Sequence, residues 1–264
     1  MDNKNGIGTF EASMVVGASM LAGAAATLLL FTGDILYAED GVIKVKTSNY
    51  TALEDVADFT VNDYNWSFNG KEYTMSLPIS HSMIKAAKYE DYNHSYVRYN
   101  KNNEAILVNG ADYSKYIDSD IDSSLVRACA ENLEKIAEDE NFSETDTANF
   151  VLAFVQSIEY RSDSNGNYCQ HTCETLYRKT GDCEDKSVAY ADIMNDMGYS
   201  SIVLEFPGHA IPAVAPKTEG AFSGVSFEAD GVRYYLAEST AEGSSVGVIS
   251  EQYYDEKAIY YSAA

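Results

Sequence analysis

The chain has 264 residues, and its 41 acidic and 18 basic side chains give a formal net charge of −23. Such an acidic excess argues against nucleic acid or anionic lipid as the main partner, because phosphate binding needs clustered Lys and Arg. Aromatic residues make up 12% of the sequence, enough for a packed core, and the length allows one sizeable domain with an appendage or two small domains.

Residues 12–33 carry no charged side chain. At about 1.5 Å per residue, a helix of this length spans the roughly 30 Å hydrocarbon core of a bilayer. Residues 1–37 are therefore predicted to contain a transmembrane helix. A cleaved secretory signal is one alternative. A pilin-type leader is another, because KNGIGTFE resembles that family's pattern, with Gly6 before the cut and Glu11 beyond it. All three predict a soluble domain outside the cytoplasm, and the first predicts a single-pass anchor in the cell membrane.

Residues 38–120 are predicted to form a β-rich extension. Asn69–Gly70 is a typical hairpin turn, and alternating large apolar residues flank it on both sides. These residues are Trp66 and Phe68 before the turn and Tyr73 and Met75 after it. Residues 80–120 are polar and rich in Tyr and Asn, and they predict no defined element.

Residues 121–264 are predicted to form an α+β core, because helical segments precede a series of strands. SSLVRACAENLEKIAEDE has apolar residues at helical spacing, and the next helix begins with Ser143 as its N-cap. Asp182 and Asp185 predict an acidic capping box at the start of a third helix, which Gly198 ends. The strands SSIVLEF and HAIPAVA follow, and then a hairpin around Asp230–Gly231.

Cys183 is the first residue of the third predicted helix. The unpaired amides and the dipole at a helix start stabilise a thiolate, and so lower the pKa of a thiol below its usual value of about 8.5. The neighbouring acids Asp182, Glu184 and Asp185 oppose this effect. A nucleophilic Cys183 therefore needs a cationic partner, and an imidazolium is the usual one.

His209 is the candidate partner, because it begins the strand that follows the turn FPG. Its imidazole would accept the thiol proton and later donate a proton to the leaving group. Glu238 follows on the next strand, on the face of Tyr234 and Leu236, and would orient the imidazole. Each residue taken singly has an ordinary structural interpretation. The ordered combination of helix-start Cys, strand His and strand acid predicts a catalytic triad.

These residues resemble the transglutaminase-like family, which has a papain-type fold. GDCED resembles its nucleophile motif, PGHA its histidine motif and YLAEST the strand that carries its acid. The chain is most similar to the membrane-anchored archaeal transglutaminase-like cysteine proteases, through NWSFNGKEYTMSLPIS, ANFVLAFVQSIEY, CETL and SSVGVIS. The resemblance covers roughly residues 60–250. It implies a core in which the helix that begins with the nucleophilic Cys packs on an antiparallel sheet carrying the His and the acid.

The resemblance also implies roles for particular residues. Cys183 would be the nucleophile, His209 the general base and Glu238 its orienting acid, although many relatives have Asp at that position. No aromatic residue follows His209 as it does in other branches, which leaves the substrate subsite undefined. The backbone N–H of Cys183 is the natural first oxyanion donor, and the Gln156 side chain is a second by analogy with papain-type folds. No cofactor is implied.

The other cysteines leave two alternatives. Cys169, His171 and Cys173 precede Cys183 closely, and four such residues would suit zinc. The spacing matches no known finger pattern, however, and a zinc site would consume the nucleophile. A disulfide between Cys169 and Cys173 is expected instead in an extracytoplasmic domain, and no metal is expected.

Two classes of function follow from these patterns. The first is a membrane-anchored extracytoplasmic cysteine hydrolase that acts on peptide or side-chain amide bonds through a thioester, with water preferred over an amine as the acceptor. Its partners would be a protein or peptide substrate and the membrane, with no nucleic acid. The second is a non-enzymatic pilin-like or adhesion-type surface subunit, supported by the leader resemblance, the Tyr content and the acidic surface.

Overall fold

The structure is a computed structural model. It describes residues 58–89, 111–163, 168–254 and 256–263, and the backbone of five further strands. The predicted membrane segment, residues 12–33, and the leader positions Gly6 and Glu11 lie outside the described residues. Within the described part of the chain, no helix is both long and apolar enough to cross a bilayer.

The chain divides into two compact units, Met1–Ala57 and Asp58–Ala264. The first contains a three-stranded antiparallel sheet in the order β1-β2-β3. Its strands are β1 (Ile35–Glu39), β2 (Val42–Lys46) and β3 (Glu54–Asp55). The boundary predicted near residue 120 lies within the second unit and stays a prediction.

The second unit begins with the hairpin of β4 (Phe59–Phe68) and β5 (Lys71–Ser80), which confirms the hairpin prediction. Asn69 and Gly70 form its two-residue turn with φ values of 49° and 76°, as a type I′ turn requires. Alternate side chains of both strands are buried. Trp66 lies at the centre of this buried face, with ring centroids 5.4 Å from Phe150 and 5.2 Å from Phe154.

Short elements precede and separate three long helices. The short elements are α1 (His81–Ala87), β6 (Tyr96–Tyr99), β7 (Ala105–Val108), the 3-10 helix η1 (Tyr113–Lys115), β8 (Glu159–Tyr160), α4 (Thr172–Arg178) and β9 (Thr180–Gly181). The long helices are α2 (Ser123–Asp139), α3 (Glu144–Gln156) and α5 (Cys183–Asp196). All three predicted helices are confirmed, including the N-cap at Ser143, whose Oγ accepts from Asp146 N at 3.1 Å.

A five-stranded antiparallel sheet completes the unit, in the order β12-β13-β11-β10-β14. Its members are β10 (Ser200–Phe206), β11 (His209–Ala215), β12 (Ser226–Ala229), β13 (Val232–Leu236) and β14 (Ile259–Tyr261), and the 3-10 helix η2 (Glu251–Tyr253) precedes β14. Helix α5 packs on β10 and β11 and is covered on its other sides by α2, α3 and α4. The predicted α+β class is confirmed, and this packing sets the start of α5 beside β11.

Candidate active site

The start of α5 is shaped by the residues around Cys183. Asp182 is the N-cap and Cys183 the first helical residue, as predicted. The backbone N–H of Asp182 donates to Asp185 Oδ2 at 3.2 Å, so the acid three residues on folds back over the helix start. Gly181 permits this, because a Cβ there would lie 2.8 Å from the Cβ of Asp185. The small residue before the acids is therefore a steric requirement of this cap.

Cys183 lies directly against the beginning of β11. Cys183 packs against the buried apolar cluster that contains Ala210. The Ser187 hydroxyl lies 2.6 Å from Cys183 O and 3.1 Å from Ala210 O, between the first turn of the helix and the strand. His209 immediately precedes Ala210, so the helix start and the histidine meet at the same end of the sheet.

His209 and Glu238 form a hydrogen-bonded pair. Pro207 and Gly208 make the turn between β10 and β11, and Gly208 has a φ of 75°, which suits the second central position of a type II turn. His209 Nε2 lies 2.9 Å from Glu238 Oε2. The other oxygen of Glu238 accepts from Thr240 N at 3.0 Å and from the Thr240 hydroxyl at 2.6 Å.

These contacts determine the charge state of Glu238. Burial alone would raise the pKa of its carboxyl, but the hydrogen bonds from His209 and Thr240 outweigh burial and lower the pKa below its ordinary value. An ionised carboxylate can only accept, so His209 Nε2 carries a proton. Proton exchange with a nucleophile would therefore fall to Nδ1.

The surroundings of Cys183 keep its thiol protonated. The thiol donates to Glu184 Oε2 at 3.1 Å. Burial raises the pKa of Cys183 above its ordinary value and the Glu184 carboxylate raises it further, while the backbone of Ala210 lowers it. Burial and the charge of Asp182 in turn raise the pKa of Glu184 to about 8. The predicted conflict between the thiolate and its neighbouring acids is thus present in the structure.

The side-chain amide of Gln156 is occupied by hydrogen bonds to the backbone around and after Glu238, so it is not available to an oxyanion. Its Nε2 donates to Glu238 O at 2.9 Å and to Ser244 O at 3.1 Å. Its Oε1 accepts from Gly243 N at 3.1 Å. Both amide hydrogens therefore fasten the loop that follows Glu238. The backbone N–H of Cys183, at the first position of a helix, needs no partner within its own helix.

The structure does not join Cys169 to Cys173. None of the four cysteines, all of which lie in the described residues, forms a disulfide. Cys169 belongs to a buried apolar cluster with Val188 and Ala210, whereas the backbone N–H of Cys173 donates to Asp122 Oδ2 at 2.9 Å. The expected disulfide is thus replaced by two separate buried thiols.

One group of potential metal ligands was not anticipated from the sequence. Asp163, Asp182 and Glu184 each offer a ligand atom, and these atoms all lie within 4.8 Å of one another. Asp182 Oδ1 and Glu184 Oε1 are buried without a hydrogen-bond partner. An all-oxygen donor set of this kind suits a hard cation such as Ca²⁺ better than zinc. Asp163 carries no motif of its own, so no sequence signal connects it with the acids that flank Cys183.

A cavity of about 710 Å³ has Gln156 and Thr240 in its wall and is lined by none of the three triad residues. Lys186 lies in its wall, is only 1% exposed, and donates to Gln156 O at 3.2 Å and Ile158 O at 2.8 Å. Burial lowers the pKa of this lysine to about 8. Lys186 therefore binds the end of α3 to the first turn of α5, a contact that the sequence analysis missed.

Comparison with known proteins yields a loose structural likeness. No protein-family model and no curated protein matches the chain. A structure of EGTA-treated LapG from Legionella pneumophila is similar, with 12% identity and a TM-score of 0.36, over 52% of this chain and 78% of that chain. A second LapG structure has 12% identity and a TM-score of 0.38, over 54% of this chain and 84% of that chain. A likeness of this degree defines neither an activity nor a site.

Proposed function

We propose that this chain is a transglutaminase-like cysteine hydrolase that cleaves peptide or side-chain amide bonds, with Cys183 as nucleophile, His209 as base and Glu238 as orienting acid. The observation that carries the proposal is the hydrogen bond of 2.9 Å between His209 and Glu238, next to the start of the helix that begins with Cys183. The membrane anchor at residues 12–33 and the extracytoplasmic location are part of the proposal and rest on the uncharged run.

The proposed reaction has two halves. His209 Nδ1 takes the proton of Cys183, and the sulfur attacks the carbonyl carbon of the amide, whose oxygen becomes an anion facing the backbone N–H of Cys183. The C–N bond then breaks, and His209 returns the proton to the leaving amine. In the second half, His209 removes a proton from water, the resulting hydroxide attacks the thioester, and the released thiolate regains its proton.

Glu238 and Glu184 act in opposite directions in this scheme. Glu238 is ionised and hydrogen bonded to His209, so it stabilises the imidazolium that forms in each half. Glu184 accepts the Cys183 thiol hydrogen bond and opposes thiolate formation. Catalysis therefore requires the thiol to turn from Glu184 toward His209.

The rival function, a non-enzymatic surface subunit, is favoured by one observation. The pKa of Cys183 is raised by burial and by Glu184, which is the reverse of what a reactive cysteine needs. A protein that only binds partners would keep such a thiol inert.

Alkylation of the full chain by iodoacetamide, followed for each cysteine by peptide mass spectrometry, separates the two functions. At about pH 7, we expect Cys183 to react in the wild type and to slow at least about tenfold in His209→Ala. His81→Ala is the matched control, because His81 is exposed and hydrogen bonds only Thr60 and Asp58 among the described residues. The buried thiols of Cys129, Cys169 and Cys173 report on unfolding, since they react only if the chain opens.

Equal rates of Cys183 alkylation in the wild type and His209→Ala would contradict the hydrolase proposal. The non-enzymatic surface subunit would then be the better hypothesis. If the pair is reactive, a blocked glutaminyl peptide offered with hydroxylamine tests acyl transfer directly. We expect hydroxamate to form and to disappear in Cys183→Ala. Replacing hydroxylamine by water or by a primary amine then ranks the two acceptors.

A further inference from the structure

The chain beyond Glu238 returns to the end of the sheet where His209 begins its strand. Ala237 and Val248 form a parallel bridge, and β14 then pairs with Val203–Glu205 of β10. Helix η2 lies in the sequence between these two attachments. Tyr253, its last residue, is thereby brought to the turn between β10 and β11.

Tyr253 packs face to face on the imidazole of His209. The two ring centroids are 5.2 Å apart and the ring planes differ by 25°. Phe206, which pairs with His209 across the turn, contacts the same tyrosine with a centroid distance of 5.2 Å and an interplanar angle of 50°. Phe206 is buried. Its contact with Tyr253 therefore holds the tyrosine ring in place against His209.

The stacking supplies what the bond to Glu238 leaves undetermined. A single hydrogen bond at Nε2 fixes one atom of the ring and allows the imidazole plane to turn about the bond. A parallel aromatic face restricts that rotation and so fixes the direction of Nδ1. The negative face of an aromatic ring also attracts a cation, and the imidazole of His209 becomes one whenever it holds the proton of the nucleophile.

We propose that Tyr253 is a positioning residue for His209, which holds the imidazole plane and attracts the imidazolium through the face of the stacked ring. The proposal rests on the proposed function, because it presupposes that His209 exchanges a proton with Cys183. The aromatic face is the active feature, so the tyrosine hydroxyl is dispensable.

Four variants of the full chain test this role, with alkylation of Cys183 at about pH 7 as the first readout. We expect Tyr253→Ala and Tyr253→Leu to slow alkylation about fivefold, and Tyr253→Phe to retain the wild-type rate. Tyr254→Ala is the matched control, because Tyr254 adjoins Tyr253 and is 54% exposed. The leucine variant preserves apolar bulk without an aromatic face, and it decides the question if the alanine variant exposes the buried Cys129.

A spectroscopic readout is independent of reactivity. In the wild type and Tyr253→Phe, the ring current of the stacked aromatic should shift the carbon-bound protons of His209 upfield in the NMR spectrum. That shift should vanish in Tyr253→Leu. Its persistence in the leucine variant, or a leucine variant that alkylates at the wild-type rate, would overturn the positioning role.

The two proposals fail in different ways. If His209→Ala slows alkylation while Tyr253→Leu does not, the hydrolase stands and the role of Tyr253 is wrong. If His209→Ala alkylates like the wild type, the proposed function itself is wrong, whatever the tyrosine variants do.

Discussion

Carboxylates are buried near both ends of helix α5, and the carboxylates at the two ends differ in how many of their oxygens accept hydrogen bonds. Toward the C-terminal end, Asp192 is fully buried, and both of its oxygens accept hydrogen bonds, one from Asp118 N at 2.7 Å and one from the Thr172 hydroxyl. At the N-terminal end, Asp182 and Glu184 each retain a buried oxygen without a partner. The helix thus has a satisfied acid at one end and an unsatisfied pair beside Cys183 at the other.

The helix dipole explains part of this difference. Partial positive charge at a helix N-terminus stabilises Asp182 and Glu184, whereas Asp192, in the last turns, receives no such help and depends on its own hydrogen bonds. An unpaired buried polar atom costs about 1–3 kcal/mol, so the dipole does not fully offset the loss at the N-terminal end. We therefore expect Asp192 to contribute more to the stability of the fold than the acids at the N-terminal end do.

Removing the satisfied acid should give the largest effect. We expect Asp192→Ala to lower the free energy of unfolding by about 3 kcal/mol, because it leaves the Asp118 N–H and the Thr172 hydroxyl unpaired. Asp192→Asn keeps the shape and should cost about 1 kcal/mol or less. Urea denaturation measures both. An equal loss in Glu184→Ala would break the comparison between the two ends.

Stability should fall as pH rises from about 5 to about 8. Burial raises the pKa of Asp122 to about 6, of Asp185 to about 7 and of Glu184 to about 8, against unfolded values of about 4. The folded chain therefore holds more protons than the unfolded chain in this interval, so unfolding becomes easier by several kcal/mol as pH rises.

Denaturation midpoints across this interval check the sign, and Glu184→Gln should flatten the fall. Lys186, whose pKa is lowered to about 8, acts in the opposite sense only above that pH. A stability that increased steadily from about pH 5 to about pH 8 would contradict the assignment of raised pKa values to these acids.

Neutralising Glu184 should make Cys183 more reactive. Glu184 raises the pKa of the thiol, so Glu184→Gln increases the thiolate fraction, partly offset by the lower nucleophilicity of a less basic thiolate. At about pH 9, where Glu184 is ionised in the wild type, we expect iodoacetamide alkylation to accelerate about threefold to tenfold in buffer containing EDTA. Asp192→Asn is the control at the other end of the helix and should leave the rate unchanged. A slower Glu184→Gln variant would show that the carboxylate assists the thiol.

The smallest expected effect is a response to calcium. The unpartnered oxygens of Asp182 and Glu184, with Asp163, form the oxygen-rich group described above. At ten times its dissociation constant, Ca²⁺ would stabilise the fold by about 1.4 kcal/mol, or about 3–6 °C in melting temperature. Asp163→Asn should abolish that shift and Asp192→Asn should retain it. A shift that survives in Asp163→Asn would place the ion elsewhere.

Local signals were reliable wherever the backbone alone determines the outcome. The turn at Asn69–Gly70, the N-cap at Ser143 and the helix start at Asp182–Cys183 all depend on residues within a few positions of one another, and all three are confirmed. The acid Glu238 was expected on a strand, but β13 ends at Leu236. Ala237 continues the pairing by donating to Pro212 O at 2.8 Å, which brings Glu238 to the level of His209.

Contacts between side chains that are distant in the sequence could not be predicted from local sequence patterns. Gln156 was expected to serve an oxyanion, but its amide reaches the loop at Gly243–Ser244. Cys169 and Cys173 are four residues apart, but Cys169 packs in an apolar cluster while the backbone N–H of Cys173 donates to Asp122. Such choices depend on which surfaces meet when the helices pack, and no residue pattern near these positions encodes that.

By itself, then, the sequence determined the α+β succession of elements, the hairpins, the helix caps and the order Cys183, His209, Glu238. The short-range energetics of turns, caps and apolar periodicity are sufficient for these features. Only the tertiary structure decided that Glu184 holds the thiol hydrogen bond, that Asp163 joins the acids at the helix start and that Tyr253 covers His209. These contacts form only after α5 has packed on the sheet and the C-terminal segment has returned to β10, because burial and pairing are properties of the assembled core.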